Sequence, residues 1–455
     1  MNDSIRPLLA DAARRGADYI EGLDRRPVFP GDADVERLRR ALAGAMPEGR
    51  TPDAEVLAFL DEYGSPATVA SAGGRYFGFV TGGALPATVA AHVLATAWDQ
   101  NAFSFTSSPA AALFDEAAIR WLRGIFGLPA ESVGALVLGA SAANFAGLAA
   151  ARHAVLDRAG WNVEEQGLRG APEVTVVVGA EVHATINKLL PLLGLGRGQL
   201  VRVPVDDQGR MRADRLPEIR GPTIVCIQAG NVNSGAFDPA REIIAAAHAG
   251  NAWVHVDGAF GLWAAASEKR RHLADGFADA DSWATDAHKW LNVPYDCGVV
   301  FVRHAGALRA AMSISADYLL LGSHHDAIDI TMDGSRRARG FDVWAALRAL
   351  GRQGLADMID RNCDQANWLA GRLRGAGVEV LNDVVLNQLV VAFGSDENTR
   401  QAIAALQEAR VIWAGGTRWH GRQALRISIS AWATTQDDMA AALEAILAAA
   451  GTRSR

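Results

Sequence analysis

Polar and apolar positions change rhythm twice along the chain, and those changes divide it. Residues 4–62 carry apolar side chains at three-to-four spacing, with proline and glycine breaks at 27–31 and 47–49, which predicts a helical arm. A glycine-rich stretch at 72–83 follows. The bulky Tyr76, Phe77, Phe79 and Val80 among its glycines predict a packed loop rather than a linker. From about residue 85, amphipathic segments (86–98, 109–126, 142–159, 181–193, 239–249) alternate with short runs that are apolar on both faces (135–138, 173–178, 200–205, 222–228, 252–257, 282–285, 298–303). Strands of that kind, separated by helices, predict an α/β layer around a mostly parallel buried sheet. After Trp344 the rhythm changes again. A long helical region to 375 precedes strands at 378–381, 388–393 and 424–430, a helix at 397–409, and a last helix with a capping-box-like start at Thr435-Gln436-Asp437-Asp438. The expected organisation is a helical arm (1–84), a large α/β domain (85–343) and a small C-terminal α+β domain (344–455).

Composition narrows the class. Half of the 455 residues are hydrophobic and 21% are charged, as in an ordinary soluble enzyme. A net charge of -7 and a pI near 5.9, with no basic run, argue against a nucleic-acid partner. No uncharged apolar run reaches the roughly 18 residues of a membrane span, and the opening MNDSIRPLLADAARRGADYI lacks a signal-peptide core. Cys226, Cys297 and Cys363 stand far apart without CxxC spacing, which predicts buried free thiols and a cytoplasmic location. His324-His325-Asp326 with Asp329 does not converge as metal ligands do, so no metal is expected.

Ligands of open α/β sheets sit at the carboxyl ends of the strands. Gly139-Ala140-Ser141 follows the first run and opens a helix, a place where small residues and free amides suit an anion. Gly179-Ala180-Glu181-Val182-His183 follows the second, with His183 in the first turn of a helix. Further ends offer the polar loop 230–235, then Asp257-Gly258-Ala259, then Asp286-Ala287-His288-Lys289-Trp290. Only three of the chain's 44 basic residues are lysines, so each one kept against arginine is informative. A primary amine condenses with an aldehyde and a guanidinium does not, while a buried carboxylate keeps a pyridine nitrogen protonated. Together these groups suit pyridoxal 5'-phosphate: Lys289 for the aldehyde, Asp257 for the ring nitrogen and His183 for the ring face. Gly139, Ala140, Ser141 and His288 suit the phosphate. Lys188, in mid-helix, and Lys269, in a charged run, compete poorly for the role of Lys289.

Asp257-Gly258-Ala259 with His288-Lys289-Trp290, preceded by Ala236-Phe237-Asp238-Pro239, resembles the group II pyridoxal-phosphate-dependent amino acid decarboxylases, which include glutamate, aromatic-L-amino-acid and histidine decarboxylases. The resemblance runs from Pro27-Val28-Phe29-Pro30 through Ser108-Pro109-Ala110 to Leu425-Arg426-Ile427-Ser428. It implies the transferase architecture of fold type I, a homodimer with its active site near the interface, and removal of an L-amino acid's carboxylate as CO2. It also implies that Tyr318 opens a mobile lid over 319–335 and protonates Cα after CO2 leaves. Phe103 then lines a pocket across the interface, and Arg426 meets the substrate carboxylate.

Departures from the family pattern bear on substrate and lid. An acid usual after the phosphate-segment serine is Ala142, and the Gly-Thr-Thr loop is Gly230-Asn231-Val232, so a hydroxyl contact is either lost or taken over by Asn231, Asn233 or Ser234. Ala287 replaces a residue that is commonly polar or proline. Tyr76, Phe77, Phe79, Phe103 and Trp413 predict a weak preference for aromatic or bulky substrates, whereas Arg418 and His420 offer a receiver for an acidic one. The same scaffold also hosts carbon–carbon lyases, aminotransferases and aldehyde-forming decarboxylases. A non-catalytic scaffold would have no use for both Lys289 and Asp257.

Overall fold

The computed structural model describes residues 5–313 and 326–451, which build two sheets. The larger contains β1 (Val133–Val137), β2 (Thr175–Gly179), β3 (Leu200–Val203), β4 (Thr223–Gln228), β5 (Trp253–Asp257), β6 (Ser282–Asp286) and β7 (Gly298–Val302). Their order is β1-β7-β6-β5-β4-β2-β3. Strands β2 to β6 run parallel, and β7 lies antiparallel between β6 and β1. Every residue of β4, β5, β6 and β7 is buried, because helices cover both faces.

Alternate side chains feed two cores. Val254 and Val256 of β5 join one, and Trp253 joins the other. The helix Ala140–Asp157 packs against β5, β6 and β7 from the second side. It approaches closely because Gly147 leaves room for His255; a Cβ there would lie 2.6 Å from the imidazole. The helices Pro86–Trp98 and Pro109–Phe126 pack on the long helix Gly340–Gly375. That long helix spans the expected border at 343/344, and its break falls at Gly351, whose φ of 62° is a glycine conformation.

The smaller sheet contains β8 (Glu379–Val380), β9 (Gln388–Ala392), β10 (Gly415–Trp419) and β11 (Arg422–Ser428), all antiparallel in the order β10-β11-β9-β8. Strand β10 has no counterpart in the expected elements. It forms a hairpin with β11 across His420 and Gly421, both left-handed with φ 47° and 80°, the turn that matches strand twist.

The loop 72–83 fastens the two sheets around the site. Phe77 donates its amide to the Trp413 carbonyl at 2.8 Å, and Ser428 donates to the Phe77 carbonyl at 2.9 Å. Asn292, just past Lys289, accepts from Trp432 N at 2.7 Å and donates Nδ2 to the Ser430 carbonyl at 3.0 Å. Gly82 is required in between: a Cβ would stand 1.9 Å from the Lys289 carbonyl oxygen.

Candidate active site

The carboxyl ends of β2, β4, β5 and β6 open onto one cavity of about 1030 Å³. Lys289, Asp257, His183, Gly139, Ala140, Ser141, Ala259, His288, Phe79 and Arg426 all line it. Asp257 ends β5 and His288-Lys289 stand in the short helix Ala287–Trp290 that follows β6, a neighbouring parallel strand; adjacency in the sheet therefore brings together groups some thirty residues apart.

Lys289 is four-fifths buried, and its Nζ lies 3.0 Å from Asp286 Oδ2. Asp257, 7% exposed, accepts the Ala259 amide on Oδ1 at 3.3 Å. His183 caps the helix Ala184–Leu192, its Nδ1 accepting from Thr185 N at 3.3 Å. Burial holds the His183 imidazole below its usual pKa, with Asp257 opposing and Lys289 and Arg426 reinforcing the shift. The ring is therefore neutral near pH 7. Burial lowers His288 as well, against the pull of Asp286, and His288 Nδ1 accepts from Cys297 N at 3.1 Å. Arg426 is lowered by burial, and among the described residues it makes no ion pair; its Nη1 donates to the Val232 carbonyl at 3.4 Å.

Several expected residues, Tyr76 and Phe77 among them, are not in the lining. Asn231 is 1% exposed and turns its Oδ1 onto the amides of Asn233 and Ser234, at 2.8 and 3.3 Å. The lining of that loop comes from Gly230 and Val232, while the buried Asn231 Nδ2 has no hydrogen-bond partner among the described residues. Trp413 sits behind Phe79, its ring 5.2 Å from Phe79 and 5.1 Å from Tyr76, and shapes the wall from the second layer. Phe103, expected across a subunit interface, is half-buried and absent from this chain's own lining, its carbonyl accepting from Ile328 N at 3.0 Å. Tyr318, with 319–325 of the expected lid, lies outside the described residues. Arg418 and His420 are also absent from the lining; Arg418 is exposed and bonds the Gly421 carbonyl, and His420 reaches the Asp207 carbonyl at 3.1 Å.

Sequence reasoning passed over several lining residues. Asp286 stands at a strand end and was open to the same logic as Asp257. Thr185, Lys188, Leu189 and Leu192 share one face of their helix at i, i+3, i+4 and i+7, and all four line the cavity. That spacing was legible. Tyr295 was not: it sits in an irregular loop, its ring 4.3 Å from His288 and its hydroxyl 3.3 Å from Thr81 Oγ1. Phe79 and Val80 hold left-handed φ values of 54° and 60°, a strained pair at the cavity wall.

The donor set fits pyridoxal phosphate. Lys289 could supply an amine for the aldehyde, Asp257 a carboxylate for the ring nitrogen and His183 a ring to stack, all from the lining of one cavity. The first turn of the 18-residue helix that begins at Ala140 supplies amides for a phosphate. Gly139 keeps that turn open, since a Cβ on it would sit 3.2 Å from His288.

The seven-stranded sheet and this site define a pyridoxal-phosphate enzyme of fold type I. Residues 73–393 match the pyridoxal-dependent decarboxylase conserved domain, and the chain belongs to that family. It is similar to L-2,4-diaminobutyrate decarboxylase of Rhizobium meliloti, at 30% identity over 80% of this chain and 75% of that one. Tryptophan decarboxylase 1 of Oryza sativa subsp. japonica is 27% identical over 82% of this chain and 77% of its own. Acidic amino acid decarboxylase GADL1 of Mus musculus is 28% identical over 66% of this chain and 56% of its own. The crystal structure of Oryza sativa TDC with PLP and tryptamine superposes with a TM-score of 0.91 at 24% identity, covering 99% of this chain and 98% of that one. The protein is a pyridoxal-phosphate-dependent amino acid carboxy-lyase.

Proposed function

We propose that this decarboxylase acts on an L-amino acid with a bulky, apolar side chain. The supporting observation is the wall of the cavity: Phe79, Leu138, Phe145, Leu189, Leu192 and Met332 surround its polar floor. Phe79, Leu138, Leu192 and Met332 are also exposed, so apolar surface at this wall awaits a covering partner. Pyridoxal phosphate supplies an electron sink for the pair released when the Cα–carboxylate bond breaks. With the cofactor bound, Lys289 would hold it, Asp257 would keep its ring nitrogen protonated, and His183 and Ala259 would flank the ring. Arg426 binds the substrate carboxylate, and Tyr318 delivers the proton to Cα.

The enzyme works as a cytoplasmic homodimer in this reading. Exposed Val93, Leu94, Trp98 and Leu113 on neighbouring helices supply an apolar face for the second copy, and Phe103 lines the partner's pocket. All three cysteines are buried and free, as suits a reducing compartment.

A second reading has one observation in its favour. Lys188 lines the cavity and, among the described residues, pairs with no carboxylate; it would suit an acidic side chain. A panel of tryptophan, tyrosine, phenylalanine, glutamate, aspartate and 2,4-diaminobutyrate, read by CO2 release and amine formation, decides. Turnover of the aromatic members, lost in Lys289→Ala, is the expected result. Exclusive turnover of glutamate or aspartate overturns the apolar assignment and hands it to Lys188.

A further inference from the structure

The amine that must accept the cofactor and the amide that opens the phosphate cradle are both occupied by one side chain of the protein itself. Asp286 ends β6 and is 2% exposed. Its Oδ2 lies 3.0 Å from Lys289 Nζ. Its Oδ1 accepts the Ala140 amide at 2.5 Å and stands 3.5 Å from His288 Nε2. Ala140 is the first residue of the helix Ala140–Asp157, so a carboxylate is already seated where that helix presents its positive end. Gly139, just before the helix, adds no side chain beside Oδ1, although a Cβ there would meet that atom only in ordinary contact at 3.5 Å. The Asp286 amide donates to the Ala259 carbonyl at 2.9 Å, which fixes the start of the side chain.

We propose that Asp286 is a place-holding anion: in the cofactor-free chain it neutralises Lys289 and caps the phosphate-binding helix, and an incoming phosphate must displace it from the Ala140 amide. This rests on the cofactor reading above. A buried ammonium and a buried helix end each need a partner when no ligand is present, and a single carboxylate serves both. The same carboxylate then stays beside a bound phosphate, close enough to repel it through poorly screened surroundings. Asp286 is thus a positioning residue that weakens anion binding while keeping the empty site ordered.

Titration of the cofactor-free, full-length protein with inorganic phosphate and then with pyridoxal phosphate tests this. Asp286→Asn keeps an oxygen that can accept from Ala140 and removes the charge. It should bind inorganic phosphate roughly tenfold more tightly than the unaltered protein, about 1.4 kcal/mol, and pyridoxal phosphate more tightly as well. Lys289→Ala strips the carboxylate of its counter-ion and should weaken phosphate binding, with Asp286→Asn in the same chain restoring it. A purely structural cap predicts no change in phosphate affinity for Asp286→Asn. Folded Asp286→Asn, by circular dichroism, with unchanged or weaker phosphate binding overturns the proposal, as does a double variant no better than Lys289→Ala. Failure of the unaltered protein to bind pyridoxal phosphate overturns the cofactor reading itself; binding without the Asp286→Asn gain overturns only the place-holder.

Discussion

Gly298 lies against Gly139 so closely that a Cβ on Gly298 would stand 2.3 Å from the Gly139 carbonyl carbon. The contact ties the first residue of β7 to the residue that opens the phosphate-side helix, and backbone cannot step aside as a side-chain tip can. Gly298→Ala should cost about 2 kcal/mol of stability, within the usual overpacking range, and weaken pyridoxal-phosphate binding by pushing the cradle outward. Urea unfolding and a cofactor titration measure the two effects. A variant with full stability and full affinity would mean that the segment shifts freely, against the packing described.

Asp257 and Lys289 reach the cavity from neighbouring strand ends, and in the proposed function the carboxylate's task is electrostatic. Asp257→Asn preserves shape and removes the charge that keeps a pyridine nitrogen protonated. Decarboxylation should fall on the order of 100-fold or more, the scale of losing one preorganised electrostatic partner, while Lys289 still retains the cofactor. Single-turnover rates beside the visible absorbance of bound cofactor separate these effects. Near-normal rates would remove Asp257 from its assigned role.

That Lys289 and Asp257 face one cavity was legible in the sequence because it rests on two features that need no coordinates: residue chemistry and position at a strand end. The helices 86–98 and 109–126 were legible for a similar reason, their apolar spacing being unbroken between a proline start and, at 127, a glycine stop. Strand β10 was hidden because Gly415, Gly416 and alternating polar residues make a poor apolar run; pairing with β11, not its own composition, makes it a strand. The loop-organising part of Asn231 was hidden, because its Oδ1 turns back onto the amides of Asn233 and Ser234 in an Asx arrangement that only the folded loop shows. The border at 343/344 followed a change of rhythm, but helical continuity carries the chain across it to Gly351.

His255 supplies a pH test that leaves the cofactor aside. It is fully buried between Ser282 Oγ and Asn144 Oδ1, each at 2.8 Å, and burial pushes its pKa down to about 3. The unfolded chain takes up this proton below about 6.5, whereas the folded chain refuses it until about 3. Stability from this group is therefore complete above the unfolded value and drains as pH falls. Asp238 runs the other way: burial raises it to about 6, so its share is lost as pH rises through that value. Subtracting a His255→Gln variant isolates the histidine. Between pH 6.5 and pH 5 the unaltered protein should lose about 2 kcal/mol more than the variant, at roughly 1.4 kcal/mol per unit. Equal slopes in paired urea titrations would contradict a neutral, fully enclosed imidazole.

Trp413 offers a way to perturb the substrate wall without touching the polar floor. Its ring stacks on Tyr76 at 5.1 Å and leans on Phe79 at 5.2 Å, and a Cβ on Gly78 would collide with it at 2.1 Å. Phe79 is 59% exposed and keeps a left-handed backbone, and Trp413 backs its ring. Trp413→Ala should cost about 3 kcal/mol of stability, at the low end for losing a large aromatic. It should also raise KM for an aromatic substrate severalfold, because Phe79 loses its backing. The turnover number should change much less, since neither Lys289 nor Asp257 leans on this stack. Trp413→Phe keeps an aromatic surface and should recover most of the KM. A fall in kcat at constant KM would instead place Trp413 in contact with the reacting end of the substrate, contrary to its position behind Phe79.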